Sequence, residues 1–276
     1  MMRYKVSHTT VYSYDETVPI CHNEVRLAPR NVPRQRCLSN RLLIKPQPAS
    51  IQRRLDYFGN DVSFFAVEEG HQKLTVTALS KVQVDAAAPP EAASTVPWEQ
   101  VRDSLPDDRT PTGLDCYQHV FDSRHVKTST ELASYAAPSF PPCKPCLEAL
   151  LDLTRRIHVD FTFDSAATSV STPIAEVLRL RRGVCQDFAH LEIGCLRSLG
   201  LAARYVSGYL LTAPPAGQPR LVGADASHAW LSVYCGDVGW IDVDPTNDTI
   251  PSIRHVLLAW GRDYSDVCPI KGVFIG

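Results

Sequence analysis

Apolar and polar residues alternate with a period of two along much of the first 85 positions, as in Leu74, Val76 and Ala78 followed by Val82 and Val84. Gly59-Asn60 and Glu69-Gly70 supply turn chemistry between such runs, which predicts a small antiparallel β domain. Pro89, Pro90, Pro97, Pro106 and Pro111 then interrupt the chain, and this stretch reads as a connector with little regular structure. Beyond it the spacing turns helical. Leu147, Leu150, Leu151 and Ile157 mark one helix opening near Pro145, and Thr172-Pro173 caps and starts a second that runs to about Arg182 and ends at Gly183. A third begins at or just before Cys185, carries Phe188, Leu191, Cys195 and Leu199 on one side, and closes at Gly200. After it the period returns to two over 203–211, 227–235 and 239–244, with a Gly236-Asp237-Val238-Gly239 turn joining the last two strands.

Composition narrows the classes of function. The 276 residues suffice for one large domain or two modest ones, and 44% hydrophobic with 21% charged residues is the composition of an ordinary globular chain. Basic and acidic residues number 28 and 30, a near balance that argues against nucleic acid as a partner, since such binders carry a basic excess. No apolar run is long enough to span a bilayer. The amino terminus, Met1 to His8, lacks the continuous apolar stretch of a secretory signal, so a cytoplasmic protein is expected. Nine cysteines scattered from Cys21 to Cys268 suggest no disulfide framework and are expected as reduced thiols.

Three segments carry chemistry. Arg182-Gly183-Val184-Cys185-Gln186-Asp187 sets a cysteine at a helix amino terminus, where unpaired N–H groups and the helix dipole favour a thiolate and can also hold an oxyanion. Strand alternation sends His228, Trp230, Ser232 and Tyr234 to one face, and in the next strand Trp240, Asp242 and Asp244 share a face. Paired through the short turn, a histidine and an acid from neighbouring strands can point to the same side, the geometry in which an acid orients an imidazole that takes a thiol proton. Either Asp242 or Asp244 satisfies that pattern.

Gly183-Val184-Cys185-Gln186-Asp187-Phe188-Ala189, then Ser227-His228-Ala229-Trp230, then Gly239-Trp240 leading to Asp244-Pro245-Thr246-Asn247, resembles the three-part signature of the bacterial transglutaminase-like superfamily, whose members are often described as candidate cysteine proteases. The first part of the chain resembles the β-rich region that accompanies that domain. The resemblance implies an α+β fold: an antiparallel β-sandwich-like domain over residues 1–88, a connector with partial helix over 89–140, and a papain-like, transglutaminase-like core over 141–276 with helices packed on an antiparallel sheet. It also implies that Cys185, His228 and Asp244 match the catalytic positions, favouring Asp244 over Asp242, and that the substrate is a protein or peptide. Chains of that family tend to continue a little beyond the point matched here by Gly272-Val273-Phe274-Ile275-Gly276.

The expected reaction is attack of Cys185 on an amide to give a thioester, resolved by water in a peptidase or amidase, or by an amine in a cross-linking transferase; with no secretory signal to suit an extracellular cross-linker, hydrolysis is favoured. A catalytically inactive binding module, and a β domain that is itself the functional part, are rivals of another class. Gln186, Trp230 and Trp240 are candidates for substrate binding, although aromatics beside a core strand more often pack. The Pro-rich segment Thr212 to Ala224 is expected to influence substrate choice. Cys143-Lys144-Pro145-Cys146 could be a redox pair or half a zinc site, but no second pair follows at zinc spacing, so incidental cysteines are expected. His190 is expected to pack or hydrogen-bond. With no loop of regularly spaced acids, neither metal nor cofactor is expected.

Overall fold

The computed structural model describes residues 1–211 and 227–275, so the Thr212 to Ala224 segment lies outside the described residues. Six strands occupy the first part: β1 (Met2–Val18), β2 (Ile20–Val25), β3 (Gln35–Lys45), β4 (Ser50–Leu55), β5 (Asp61–Val67) and β6 (His71–Val84). They divide between two antiparallel sheets. One has the order β1-β6-β3, and the other joins β2, β5 and β4. The period-two pattern reports burial faithfully in β6, where Leu74, Val76, Ala78, Val82 and Val84 are all buried. They share one core with Val25, Phe65 and Val67 of the second sheet.

The proline-rich connector is more ordered than its composition suggests. It folds into α1 (Trp98–Ser104), α2 (Pro111–Tyr117) and α3 (Thr130–Ala136). Proline breaks a helix interior but suits its start. Pro97 stands at the N-cap of α1 and Pro111 in the first turn of α2, where Thr110 Oγ1 accepts the Gly113 N–H at 3.0 Å. Ser129 caps α3 in the same way.

Next come α4 (Cys146–Asp160), the short strand β7 (Thr162–Phe163), α5 (Ile174–Leu180), a second short strand β8 (Arg182–Gly183) and α6 (Cys185–Ser198). Helix α5 stops earlier than the sequence predicts. Arg181, not Gly183, takes the left-handed conformation, with φ 55°, and ends it. Helix α6 is the axis of the second half. Phe188, Leu191 and Cys195 are buried, but so are Ala189, Ile193 and Leu196 on its other sides, the mark of a helix enclosed all round. At Gly194 an added Cβ would stand 3.1 Å from Leu132 Cδ1 of α3, which shows how closely the neighbouring helix approaches.

The remaining elements are β9 (Ala203–Leu210), β10 (Ser227–Tyr234), β11 (Trp240–Val243), β12 (His255–Gly261), α7 (Tyr264–Val267) and β13 (Ile270–Ile275). Strands β11-β10-β9-β12 form an antiparallel sheet in that order. Its hairpin is the one the glycines predict: Gly236 and Gly239 both adopt positive φ, 71° and 72°, and Leu231 pairs with Val243. The chain end is less local. β13 pairs with β2, at the edge of the first-half sheet, although the sequence reading groups it with residues 141–276. Buried Gln35 adds a second tie, donating to the Leu257 carbonyl at 2.7 Å and accepting its N–H at 2.8 Å. No helix among the described residues is long and apolar enough to cross a membrane.

Candidate functional site

Cys185 opens α6 because the residues before it are held out of the helix. Val184 is extended, and the Asp187 carboxylate reaches back to accept its N–H at 2.8 Å while also accepting the Thr168 hydroxyl at 2.6 Å. Valine has no side-chain acceptor, so this is the acidic half of a capping box. Glycine is required at 183, since a Cβ there would fall 2.7 Å from Asp187 Oδ2. Burial pushes the Asp187 carboxyl up, against the pull of its two donors. The Gly-Val-Cys-Gln-Asp run is thus a local device that delivers a half-buried thiol at the first helical position, beside first-turn N–H groups that have no partner within the helix.

His228 lies at the start of β10, its side chain only 9% exposed. Its Nε2 donates to Asp244 Oδ2 at 2.7 Å, which leaves Nδ1 as the nitrogen open to a thiol proton. Cys185 is near enough to this ring to shift its titration. Burial alone would lower the His228 pKa, but hydrogen bonds to Asp244 and Cys185, together with their charges, raise it to about 9. Asp244 follows β11 and is fully buried. Burial would raise its pKa, yet donors from His228, His255 and Asn247 hold it well below the usual carboxylate range. The Thr246 N–H adds a bond to Oδ1 at 3.0 Å.

Of the two acids left open by the strand pattern, Asp242 is engaged elsewhere, in a 2.8 Å ion pair with Arg34. Gln186 is half-buried beside Cys185, and its amide donates to the Val170 carbonyl at 3.3 Å. The two tryptophans correct the sequence reading. Trp230 is fully buried in a cluster with Val206 and Leu257 and has no surface to offer a substrate. Trp240 pairs with Tyr234. That is six residues along β10 from His228, roughly 20 Å at strand rise. It packs under Arg204, 4.1 Å from the guanidinium, and edge-on to His119. Alternation tells which residues share a face; it carries no information on depth or on distance along the strand.

Two residues with no role assigned from sequence belong to the site. Asn247 donates to Asp244 Oδ2 at 2.7 Å, and His255 Nε2 lies 3.2 Å from the same oxygen. Asn247 was within the motif, three residues past the acid. His255 had no local signal: β12 reaches the site by pairing with β9, not with its sequence neighbour β11. Gly208 of β9, opposite His228, makes this approach possible, as a Cβ would fall 2.2 Å from the Val256 carbonyl and 2.4 Å from the Trp230 ring.

His228, Asp244 and His255 are the one group of potential metal ligands that converges among the described residues. In this structure they are joined by hydrogen bonds: both Nε2 atoms and the Asn247 amide lie within hydrogen-bonding distance of Asp244 Oδ2. Cys143 and Cys146 differ in surroundings: Cys143 is exposed, whereas Cys146 is buried near Cys235. His190 stacks on His125 with ring centroids 5.6 Å apart and accepts the Tyr264 N–H at 3.1 Å. Two turns below Cys185 on α6 lies Glu192, fully buried, its Oε1 accepting the Thr154 hydroxyl at 2.7 Å and its Oε2 without a hydrogen-bond partner among the described residues. Desolvation, with Asp244 and Asp248 adding to it and Thr154 opposing, pushes its carboxyl up to about 8.

Comparison with known proteins agrees with this architecture. Residues 4–83 match the bacterial transglutaminase-like N-terminal region, and residues 134–245 match the transglutaminase-like superfamily. An uncharacterized protein of Mycobacterium tuberculosis is 44% identical over 283 residues, covering 98% of this chain and 87% of its own. A protein-glutamine gamma-glutamyltransferase of Pseudomonas aeruginosa is 38% identical over 104 residues, 37% of this chain and 16% of that protein. The crystal structure of a candidate cysteine protease from Cytophaga hutchinsonii superimposes with a TM-score of 0.77 at 22% identity, covering 100% of this chain and 88% of that one. The chain belongs to the transglutaminase-like superfamily and carries its bacterial amino-terminal region.

Proposed function

We propose that this protein is a cysteine-dependent acyl-transfer enzyme that hydrolyses amide or peptide bonds through a thioester on Cys185. The observation that carries the reading is the convergence of a thiol at a helix start with an imidazole whose far nitrogen is held by a buried carboxylate. His228 Nδ1 takes the Cys185 proton as the sulfur attacks the amide carbon. First-turn N–H groups of α6 hold the oxyanion. His228, now an imidazolium paired with Asp244, passes its proton to the departing amine and leaves the acyl group on sulfur. Water activated by the neutral ring then attacks the thioester and releases the carboxylic acid and Cys185.

Hydrolysis is favoured over amine transfer by the extent of the likenesses. The candidate cysteine protease shares its fold with the whole chain, whereas the glutamyltransferase match covers 37% of it. That shorter match supports the second reading, a protein-glutamine amine transferase in which lysine resolves the same thioester. Nine unpaired thiols suit a reducing compartment, in keeping with a cytoplasmic site of action. Incubation with a library of glutamine-containing and isopeptide-linked peptides separates the readings. Peptide cleavage or ammonia release, with an acyl adduct on Cys185 in acid-quenched samples by mass spectrometry, is the expected result. Amine incorporation would select the transferase. A library that gives neither product nor adduct would overturn the enzyme reading in favour of a binding module.

A further inference from the structure

We propose that His255 is a positioning residue for the Cys185–His228–Asp244 arrangement, a second imidazole that locks the acid in the orientation His228 requires. The inference rests on the enzyme reading above and adds to it a fourth side chain. His255 opens β12, is only 5% exposed, and brings Nε2 to 3.2 Å from Asp244 Oδ2. Its tautomer is set by the backbone. The Ser252 N–H donates to Nδ1 at 3.4 Å, so Nδ1 carries the lone pair and the ring proton sits on Nε2, aimed at the carboxylate. The His255 N–H in turn donates to the Ser252 carbonyl at 3.0 Å, and the indole of Trp230 meets the ring edge to face at 5.3 Å. The imidazole therefore cannot swing away from Asp244 without losing the Ser252 N–H bond to Nδ1 and the Trp230 contact.

A carboxylate that holds a working imidazole must not rotate as the imidazole gains and loses charge. Asp244 Oδ2 has two donors besides His228, and they differ. Asn247 is exposed on a turn and also lies 3.4 Å from His228 Nε2, so it can follow the ring. His255 is buried in the sheet and stays fixed. Among the described residues, the titratable groups around Asp244 are Glu192 from α6, His228 from β10, His255 from β12 and Asp248 from the following turn, with Cys185 of α6 acting on His228. His158 of α4 reaches the same turn through the Thr246 carbonyl at 2.9 Å. Of these, His228 and His255 are the ones whose ring N–H reaches the carboxylate.

The test compares His255→Phe, which keeps a planar ring without a donor, with His255→Gln, which keeps a side-chain N–H. The rate of Cys185 alkylation by iodoacetamide is followed against pH, with kcat and KM on any substrate found. His255→Phe is expected to lower kcat about ten- to hundredfold, with KM changed less than about twofold. It should also move the acid limb of the alkylation profile to higher pH, because Asp244 takes a proton more readily when a donor is lost. His255→Gln is expected to recover a large part of both. Equal losses in the two variants with an unmoved limb, or wild-type behaviour in His255→Phe, would overturn the proposal. Nitrogen-15 NMR of the wild-type histidine rings supplies a reading that survives a misfolded variant: Nε2–H at His255 is expected, and Nδ1–H would contradict it. If wild-type Cys185 shows no selective reactivity, the enzyme reading itself has failed; if it does and the His255 results are null, this inference alone has failed.

Discussion

Replacing His228 with alanine is expected to slow amide turnover about a thousandfold or more while changing KM less than about threefold. The imidazole serves twice, as base for the Cys185 proton and as acid for the leaving amine, so its loss removes interactions made only in the transition state. Asp244→Asn is expected to be nearly as damaging, at about a thousandfold, although it leaves the volume unchanged. With His228 Nε2 now facing an amide that can donate, the ring is free to take the opposite tautomer, with its proton on Nδ1. A donor then faces the thiol where an acceptor is needed. Steady-state kinetics on the hydrolysed peptide check both, and a retained KM shows that the pocket has survived. The raised His228 value adds a limit on the other side. Turnover is expected to fall as pH rises through about 9 and the ring loses the proton it must give to the amine.

Glu192→Gln is expected to stabilise the protein at pH 8 by on the order of 3 kcal/mol, with little difference at pH 5. The sign follows from the raised carboxyl. Below the ordinary value of 4.5 the side chain is protonated folded or unfolded, and stability is fully present. Between 4.5 and about 8 the unfolded chain gives up a proton that the folded chain keeps, so stability is lost as pH rises. Glutamine has no proton to release, fits the same space and can still accept from Thr154. Urea unfolding of the two proteins at pH 5 and pH 8 measures the effect. Parallel pH dependences would show that Glu192 ionises freely in the folded state.

Much of the site is local in the chain, which is why it is legible there. Gly183, Cys185 and Asp187 lie close together in the chain at the start of α6 and form a single capping device, and His228 and Asp244 are brought together by a hairpin whose glycines announce it. What sequence missed is long-range or concerns depth. His255 reaches Asp244 through the pairing of β12 with β9, and β13 joins β2 across nearly the whole chain, neither of which leaves a periodic trace. Trp230 and Trp240 share the face of His228 by alternation, yet one is sealed in the core and the other lies at the far end of the hairpin. The connector is more helical than its composition suggests for a different reason: Pro97 and Pro111 stand at helix starts, where the missing N–H is harmless.

Central to all of this is the pairing of the Cys185 thiol with the His228 ring, and competitive alkylation tests it most directly. Brief exposure of the native protein to iodoacetamide near neutral pH, followed by peptide mapping of all nine thiols, is expected to show Cys185 modified far faster than the rest, including the exposed Cys143. In His228→Ala that advantage should vanish. Uniform slow labelling of the wild type, or an undiminished Cys185 rate in the variant, would contradict the account.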